Sequence, residues 1–214
     1  LIPDNFFLIP EFIISAPNNI KASSGFDAIA QALESMVSKK SNEASLICAM
    51  KSLKISSKSY LSFLDDPNIK NASDMCIASN LAGKAINISK TTVPHATSYP
   101  FTSLFNISHG HAVSLFIESF FKYNFENMHR SETNFDLKKR YELIFSLFNV
   151  KTINDFTNKI SVIKKKAGLV DNLIDLNINV KKNSKKIMSG INLLRLGNNP
   201  VKIDENQIYK IISN

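Results

Sequence analysis

Beyond Pro17 the apolar residues of this chain recur every three or four positions, and that period decides the fold class. Phe26, Ile29, Ala30, Leu33 and Val37 form the clearest run. An α-helix turns once in 3.6 residues, so side chains spaced this way gather on one face. The pattern predicts a helix over 24–39, with others over 42–55, 57–64, 71–88, 94–99, 109–122, 136–147, 153–166, 183–190 and 204–212. No segment after residue 17 alternates apolar and polar residues as a half-buried strand does. The expected body is therefore an all-α domain over 16–214. Residues 1–15, "LIPDNFFLIPEFIIS", are the exception. They are rich in Ile and Phe, interrupted by Pro10, and read as a strand at the edge of a sheet that the rest of the chain does not supply.

Composition narrows the class further. With 44% hydrophobic and 21% charged residues over 214 positions, the chain can bury a sizeable core. No apolar run reaches the roughly 18 residues of a membrane span. The leading segment lacks the basic start and small-residue cleavage site of a signal peptide. It also lacks an initiating methionine, so the chain reads as part of something longer. Cys48 and Cys76 fall inside helical patterns, far apart, as reduced core thiols of a cytoplasmic protein would. The net charge of +8 raises the question of nucleic acid. The basic residues are dispersed, however, with short runs only at 163–168 and 180–186 and no interleaved aromatics. Solvated lysine faces are the expected reading, with neither nucleic acid nor membrane as partner.

Chemistry concentrates in "TTVPHATSYPFTSLFNISHGHAV", residues 91–113, which holds three of the four histidines. Pro94 suits the first turn of a helix, so His95 belongs to that turn. Pro100 is expected to end the segment soon after. Ser108 is a good N-cap, which puts His109 at the first helical position. Far upstream, Asp27 and Gln31 are four residues apart and share a helix face. One carboxylate, two imidazoles and an amide oxygen suit a divalent metal such as Fe²⁺ or Zn²⁺. The spacing alone leaves open the alternative of core or capping histidines beside an ordinary Asp–Gln pair.

These segments, in this order, resemble the C-terminal domain of the iron-containing alcohol dehydrogenase family. "SSGFDAIAQALE" (23–34) is similar to the family's Thr-Gly-x-Asp-Ala-x-x-His-Ala-x-Glu stretch, and "ASNLAGKAINIS" (78–89) to its leucine-alanine-glycine helix. The fourteen-residue step from His95 to His109-Gly110 and the closing "LRLGNNP" (194–200) match as well. The resemblance implies the helical metal-binding domain of a dehydroquinate synthase-like fold. Residues 1–15 would be the last strand and linker of an α/β nucleotide-binding domain. Carried over by position, the metal ligands are Asp27, Gln31 (where the family usually has histidine), His95 and His109. Tyr99 stands where a histidine often given a part in proton transfer is found, and is the expected catalytic residue. His111 is expected to support the site or pack beside it, and His129 to lie in a loop.

"DAIAQALE" and "AGKAINISKTTVPHATSY" resemble the phosphonoacetaldehyde reductase branch in particular. This implies NAD(P)H-dependent reduction of phosphonoacetaldehyde, a small anionic aldehyde, to 2-hydroxyethylphosphonate. Lys90, Thr91 and Thr92 are then the expected substrate-binding residues, with Lys84 a second candidate. The chain has six glycines and none forms Gly-x-Gly-x-x-Gly, so NAD(P)H binding is expected only with the missing N-terminal domain as partner. Alone the chain should be inactive but able to hold metal, and a homodimer is compatible with the reading. The alternatives are a generic short-chain aldehyde or polyol dehydrogenase domain, and a non-catalytic helical interaction domain.

Overall fold

The computed structural model describes residues 5–213, and its first segment departs from the strand expected over 1–15. Residues 1–4 of that expectation lie outside the described residues. Residues 5–9 have no regular structure, and α1 (Glu11–Ile14) is a single helical turn. A strand needs a neighbour for its backbone N–H and C=O groups. No strand is present among the described residues to provide one. Phe7 and Phe12 accordingly remain 87% and 74% exposed.

Three long helices form the frame: α2 (Asn18–Val37), α3 (Glu43–Asp65) and α4 (Ile69–Ser89). Asn42 opens α3 by accepting a hydrogen bond from the Ser45 N–H, while the Ser45 hydroxyl accepts from the Asn42 N–H. The break expected near residue 56 is absent. No glycine or proline interrupts the chain there, Ser56 is buried, and one continuous helix replaces the two expected. α2 is the central element. Phe26, Ile29, Ala30, Leu33 and Val37 are all buried, as their period predicts.

The chain continues through α5 (Val93–Phe105), α6 (His109–Ser114), α7 (Ile117–Glu126) and a 3₁₀ turn at Met128–Arg130. It ends with α8 (Leu137–Phe148), α9 (Ile153–Lys166), α10 (Val180–Ser189), α11 (Leu193–Leu196) and α12 (Glu205–Ile212). Two apolar clusters hold these together. The first joins α2, α3, α4, α8 and α9 through residues such as Leu33, Leu53, Tyr141 and Phe156. The second joins α5, α7, α10 and α12 through Phe101, Phe120, Ile187 and Ile208. Tyr123 touches both.

Two helices differ from their expected extents for identifiable reasons. Pro100 does not end α5, which runs on to Phe105. A proline inside a helix leaves the carbonyl four residues back without its usual donor. Here that carbonyl, Ala96, accepts instead from the Asn192 N–H at 3.2 Å, so the helix continues with the group satisfied. The helix expected over 109–122 is divided, because Phe116 leaves the helical path (φ −127°, ψ 7°) between α6 and α7. Cys48 and Cys76 are free thiols on α3 and α4, half-buried rather than in the core. No helix among the described residues is long and apolar enough to cross a membrane.

Candidate metal centre

The site is assembled by a close approach of α6 to α2. A Cβ added to Gly110 would lie 2.1 Å from the Ser23 carbonyl oxygen and 2.8 Å from the Asp27 Cβ. Only glycine fits that contact. It seats α6 against the face of α2 that carries Asp27, and the Ser23 hydroxyl secures it by accepting from the His111 N–H at 3.1 Å. His109, next to Gly110 at the start of α6, thereby reaches the Asp27 carboxylate, with Nε2 4.0 Å from Oδ1. His95 arrives from the first turn of α5, placed there by Pro94 as expected, with Nε2 3.3 Å from the same oxygen.

These three side chains offer one ligand atom each, all within 4.8 Å of one another. Asp27 Oδ1 and His95 Nε2 are both buried, and neither makes a hydrogen bond. An unpaired buried polar atom costs about 1–3 kcal/mol; here the two atoms face each other at 3.3 Å, where a proton on His95 or a bound cation would satisfy both. One carboxylate oxygen and two imidazole nitrogens are donors suited to Fe²⁺ or Zn²⁺. The His109 side chain is 40% exposed against 3% for His95, so the cluster is closed at its base and open on one side. Gln31 takes a different part: its Nε2 donates to Asp27 Oδ2 at 2.7 Å. The amide steadies the carboxylate and turns its nitrogen, not its oxygen, toward the cluster.

Behind His95 stands Glu34, two turns beyond Asp27 on α2 and fully buried. One carboxylate oxygen accepts from the Thr92 N–H at 2.6 Å and the Thr92 hydroxyl at 2.8 Å; the other pairs with His95 Nδ1. A carboxylate on the far nitrogen of a ligating histidine fixes the ring and its tautomer. The role could be read only in part from sequence: Glu34 closes the "SSGFDAIAQALE" stretch, but its partners lie 58 and 61 positions away. Burial on its own would depress the His95 imidazole, yet the Glu34 and Asp27 carboxylates outweigh it and raise the pKa to about 9. His109 goes the other way. Burial, reinforced by the positive charges of His95 and Arg195, lowers it despite the pull of Asp27.

The open side is bordered by Tyr99 and Arg195. Tyr99 follows His95 by one turn, and its ring centroid lies 5.8 Å from that of His109. The Arg195 guanidinium sits over the Tyr99 ring, 5.6 Å from its centroid, and donates to the Thr91 hydroxyl. Arg195 lies within the "LRLGNNP" stretch, but nothing in its spacing foretold this position. The same stretch braces the turn before His95. Asn198 donates through Nδ2 to the Ser89 and Thr91 carbonyls at 2.8 and 2.9 Å, and accepts from the Lys40 N–H at 3.1 Å. Asn199 pairs with Asn124.

The group expected to bind substrate at 90–92 is not gathered at this opening. Lys90 caps α4 with positive φ (58°), and its ammonium turns back to the Asn87 carbonyl at 2.8 Å. The last carbonyls of a helix lack backbone donors and draw a cation there. Thr91 and Thr92 are buried, with their hydroxyls committed to Arg195 and Glu34. The Lys84 ammonium lies over the Phe6 ring at 4.7 Å. His111 donates from Nε2 to the Val170 carbonyl at 2.5 Å, and His129 falls in the 3₁₀ turn.

The description "Fe-containing alcohol dehydrogenase family, C-terminal" belongs to a family model that matches residues 21–214. The chain belongs to that family. Its curated relatives include alcohol dehydrogenase 4 of Saccharomyces cerevisiae, 30% identical over 102 residues, or 47% of this chain and 27% of that protein. The 1-propanol dehydrogenase PduQ of Salmonella typhimurium is 28% identical over 125 residues, or 58% of this chain and 34% of that protein. Among solved structures, the sulfoacetaldehyde reductase of Bifidobacterium kashiwanohense in complex with NAD⁺ superposes with a TM-score of 0.83. It is 28% identical, and the match covers 95% of this chain and 52% of the other. This family member thus spans about half of that solved chain. The absence of strands among its described residues accords with the helical half of the fold.

Proposed function

We propose that this chain is the metal-binding half of an NAD(P)H-dependent reductase of a short aldehyde with an oxyanion headgroup. Phosphonoacetaldehyde, reduced to 2-hydroxyethylphosphonate, is the leading substrate. The observation that carries the reading is the convergence of two buried atoms without a hydrogen bond, Asp27 Oδ1 and His95 Nε2, 3.3 Å apart, with His109 Nε2 beside them. The headgroup draws support from the sulfoacetaldehyde reductase, whose named substrate is a two-carbon aldehyde bearing a sulfonate.

Asp27, His95 and His109 would hold a divalent cation. When bound, that ion supplies Lewis-acid polarisation of a carbonyl oxygen, while hydride comes from a nicotinamide carried outside this chain. Glu34 keeps the proton of the neutral imidazole on His95 Nδ1, leaving the Nε2 lone pair free to ligate. Gln31 keeps the Asp27 carboxylate from rotating by holding Oδ2, so that Oδ1 faces the histidines. Tyr99, whose ring packs beside His109, would give its phenolic proton to the oxygen that hydride transfer leaves negative.

Metal stoichiometry tests the first half of this. The chain purified without metal should take up about one equivalent of Zn²⁺, and Asp27→Ala or His95→Ala should abolish uptake. No uptake by the parent chain would refute the reading. A second reading, reduction of uncharged short aldehydes, is favoured by the 1-propanol dehydrogenase relative. The two separate once the chain is joined to a nucleotide-binding half: turnover of propanal exceeding that of phosphonoacetaldehyde selects the second.

A further inference from the structure

The cation beside Tyr99 and His109 is Arg195, and its bonding is incomplete. A guanidinium carries five N–H donors. Among the described residues one of its nitrogens, Nη1, donates to the Thr91 hydroxyl, and no other acceptor meets the side chain. No carboxylate among the described residues lies within ion-pairing distance, although four lysines, Lys39, Lys70, Lys122 and Lys164, have one. Arg195 is nevertheless held in place. Its backbone N–H donates to the Asn192 side chain at 3.1 Å, opening α11, and its guanidinium carbon lies over the Tyr99 ring, 5.6 Å from the centroid. Tyr99 in turn packs at a tilt against His109, 5.8 Å between ring centroids, and the Arg195 charge is close enough to depress the His109 imidazole.

We propose that Arg195 is the anion-receiving group of this site, taking the oxyanion headgroup of a substrate whose carbonyl points at Asp27, His95 and His109. The inference rests on reading that cluster as a carbonyl-binding metal centre. A half-buried arginine with free, parallel N–H groups recognises tetrahedral oxyanions by paired hydrogen bonds, which a lysine cannot reproduce. The Tyr99 ring attracts the guanidinium through its π face and Thr91 holds one nitrogen. The remaining donors are left for a phosphonate or sulfonate. Arg195 thus takes the role that sequence suggested for Lys90, whose ammonium is committed to its own helix end.

The test uses the full chain loaded with Zn²⁺, with binding of 2-hydroxyethylphosphonate and 1,3-propanediol followed by calorimetry. Arg195→Gln should weaken the phosphonate about tenfold or more, the loss expected for charge-assisted hydrogen bonds, and leave the diol within about twofold. Arg195→Lys should recover only part of the loss. Thr91→Val, which keeps the guanidinium but removes its anchor, should fall between the parent and Arg195→Gln. Zn²⁺ affinity of each variant, measured separately, should stay within about threefold of the parent.

Phosphonate binding by Arg195→Gln within twofold of the parent overturns the proposal, as does absence of phosphonate binding by a parent chain that holds its Zn²⁺. Failure to bind Zn²⁺ instead strikes the metal reading. Arg195 is then judged on the metal-free chain, where the Arg195 Nε–H resonance must shift on addition of methylphosphonate. An ADP-ribose arm separates the two sources of oxyanion. Weakening of ADP-ribose with no change for the phosphonate would assign Arg195 to a cofactor phosphate and overturn the proposal.

Discussion

Replacing Glu34 by glutamine changes one atom and should disable the cluster without unfolding the chain. The carboxylate accepts at both ends, from Thr92 on one side and from His95 on the other. An amide can accept at only one. The Thr92 backbone N–H cannot become an acceptor, so the amide oxygen must face Thr92 and the NH₂ must face His95 Nδ1. His95 is then driven to carry its proton on Nε2, the atom that points at Asp27. A protonated Nε2 cannot ligate, and restoring the other tautomer would set two donors against each other. Loss of a partner of this kind typically costs 10- to 100-fold in metal affinity, and the upper end is expected here because both tautomers are penalised. Stability should suffer less, by about 2 kcal/mol, as two charge-assisted hydrogen bonds become neutral ones. Glu34→Ala is the contrasting variant. It leaves three buried donors unpaired and should cost about 3–5 kcal/mol, a large share of an ordinary domain's stability. Competitive Zn²⁺ titration against a chelator, with ¹⁵N spectra of His95, reads both effects. Zn²⁺ affinity of Glu34→Gln within threefold of the parent, with the proton still on Nδ1, would refute the reasoning.

The metal-free chain should lose stability as pH rises. His95 is held at about 9 against an ordinary 6.5, so its contribution is complete below pH 6.5 and disappears as pH climbs through 9. The size is about 3 kcal/mol, seen as a falling urea midpoint, and a flat or rising midpoint across that window would contradict it. Zn²⁺ affinity should rise over the same interval, because the ion must displace the His95 proton. Gly110→Ala should push α6 off α2, costing about 1–3 kcal/mol and more than tenfold in Zn²⁺ affinity as His109 moves from Asp27. Gly83→Ala is its control. Nothing lies within 4 Å of a Cβ there, so the helix should gain about 0.5–1 kcal/mol, and denaturation curves of the two variants should shift in opposite directions.

What could be read from the sequence was whatever its own neighbourhood determines. The α2 stripe was legible because a three- and four-residue period needs no knowledge of the partner. Pro94 and Ser108 likewise located His95 and His109 at helix starts through local backbone rules. The rest depended on distant groups. The passage of α5 through Pro100 requires a donor from Asn192, far along the chain. The strand expected over 1–15 is absent from its described part, for want of a second strand among the described residues, which that segment cannot reveal by itself. The two helices expected over 42–55 and 57–64 are one, α3, with Ser56 buried at the join. At the site, Lys90 looked suited to an anion because its position in sequence is close to His95. Helix termination turned it away, and the cation at the opening came from the other end of the chain.

The bracing of the turn before His95 also sets an order of events. Asn198 reaches back 109 and 107 positions to the Ser89 and Thr91 carbonyls, and Arg195 reaches back 104 to Thr91. During synthesis at about 5–20 residues per second, the braces would leave the ribosome roughly 5–20 s after the turn they secure. For that interval Asp27, His95 and His109 already exist on the nascent chain while the turn is still unsecured. A cation could enter then, ahead of the last contacts. If the cluster binds a cation as proposed, loading during translation and loading of the finished protein would follow different routes, the first through an unsecured turn and the second into the braced site.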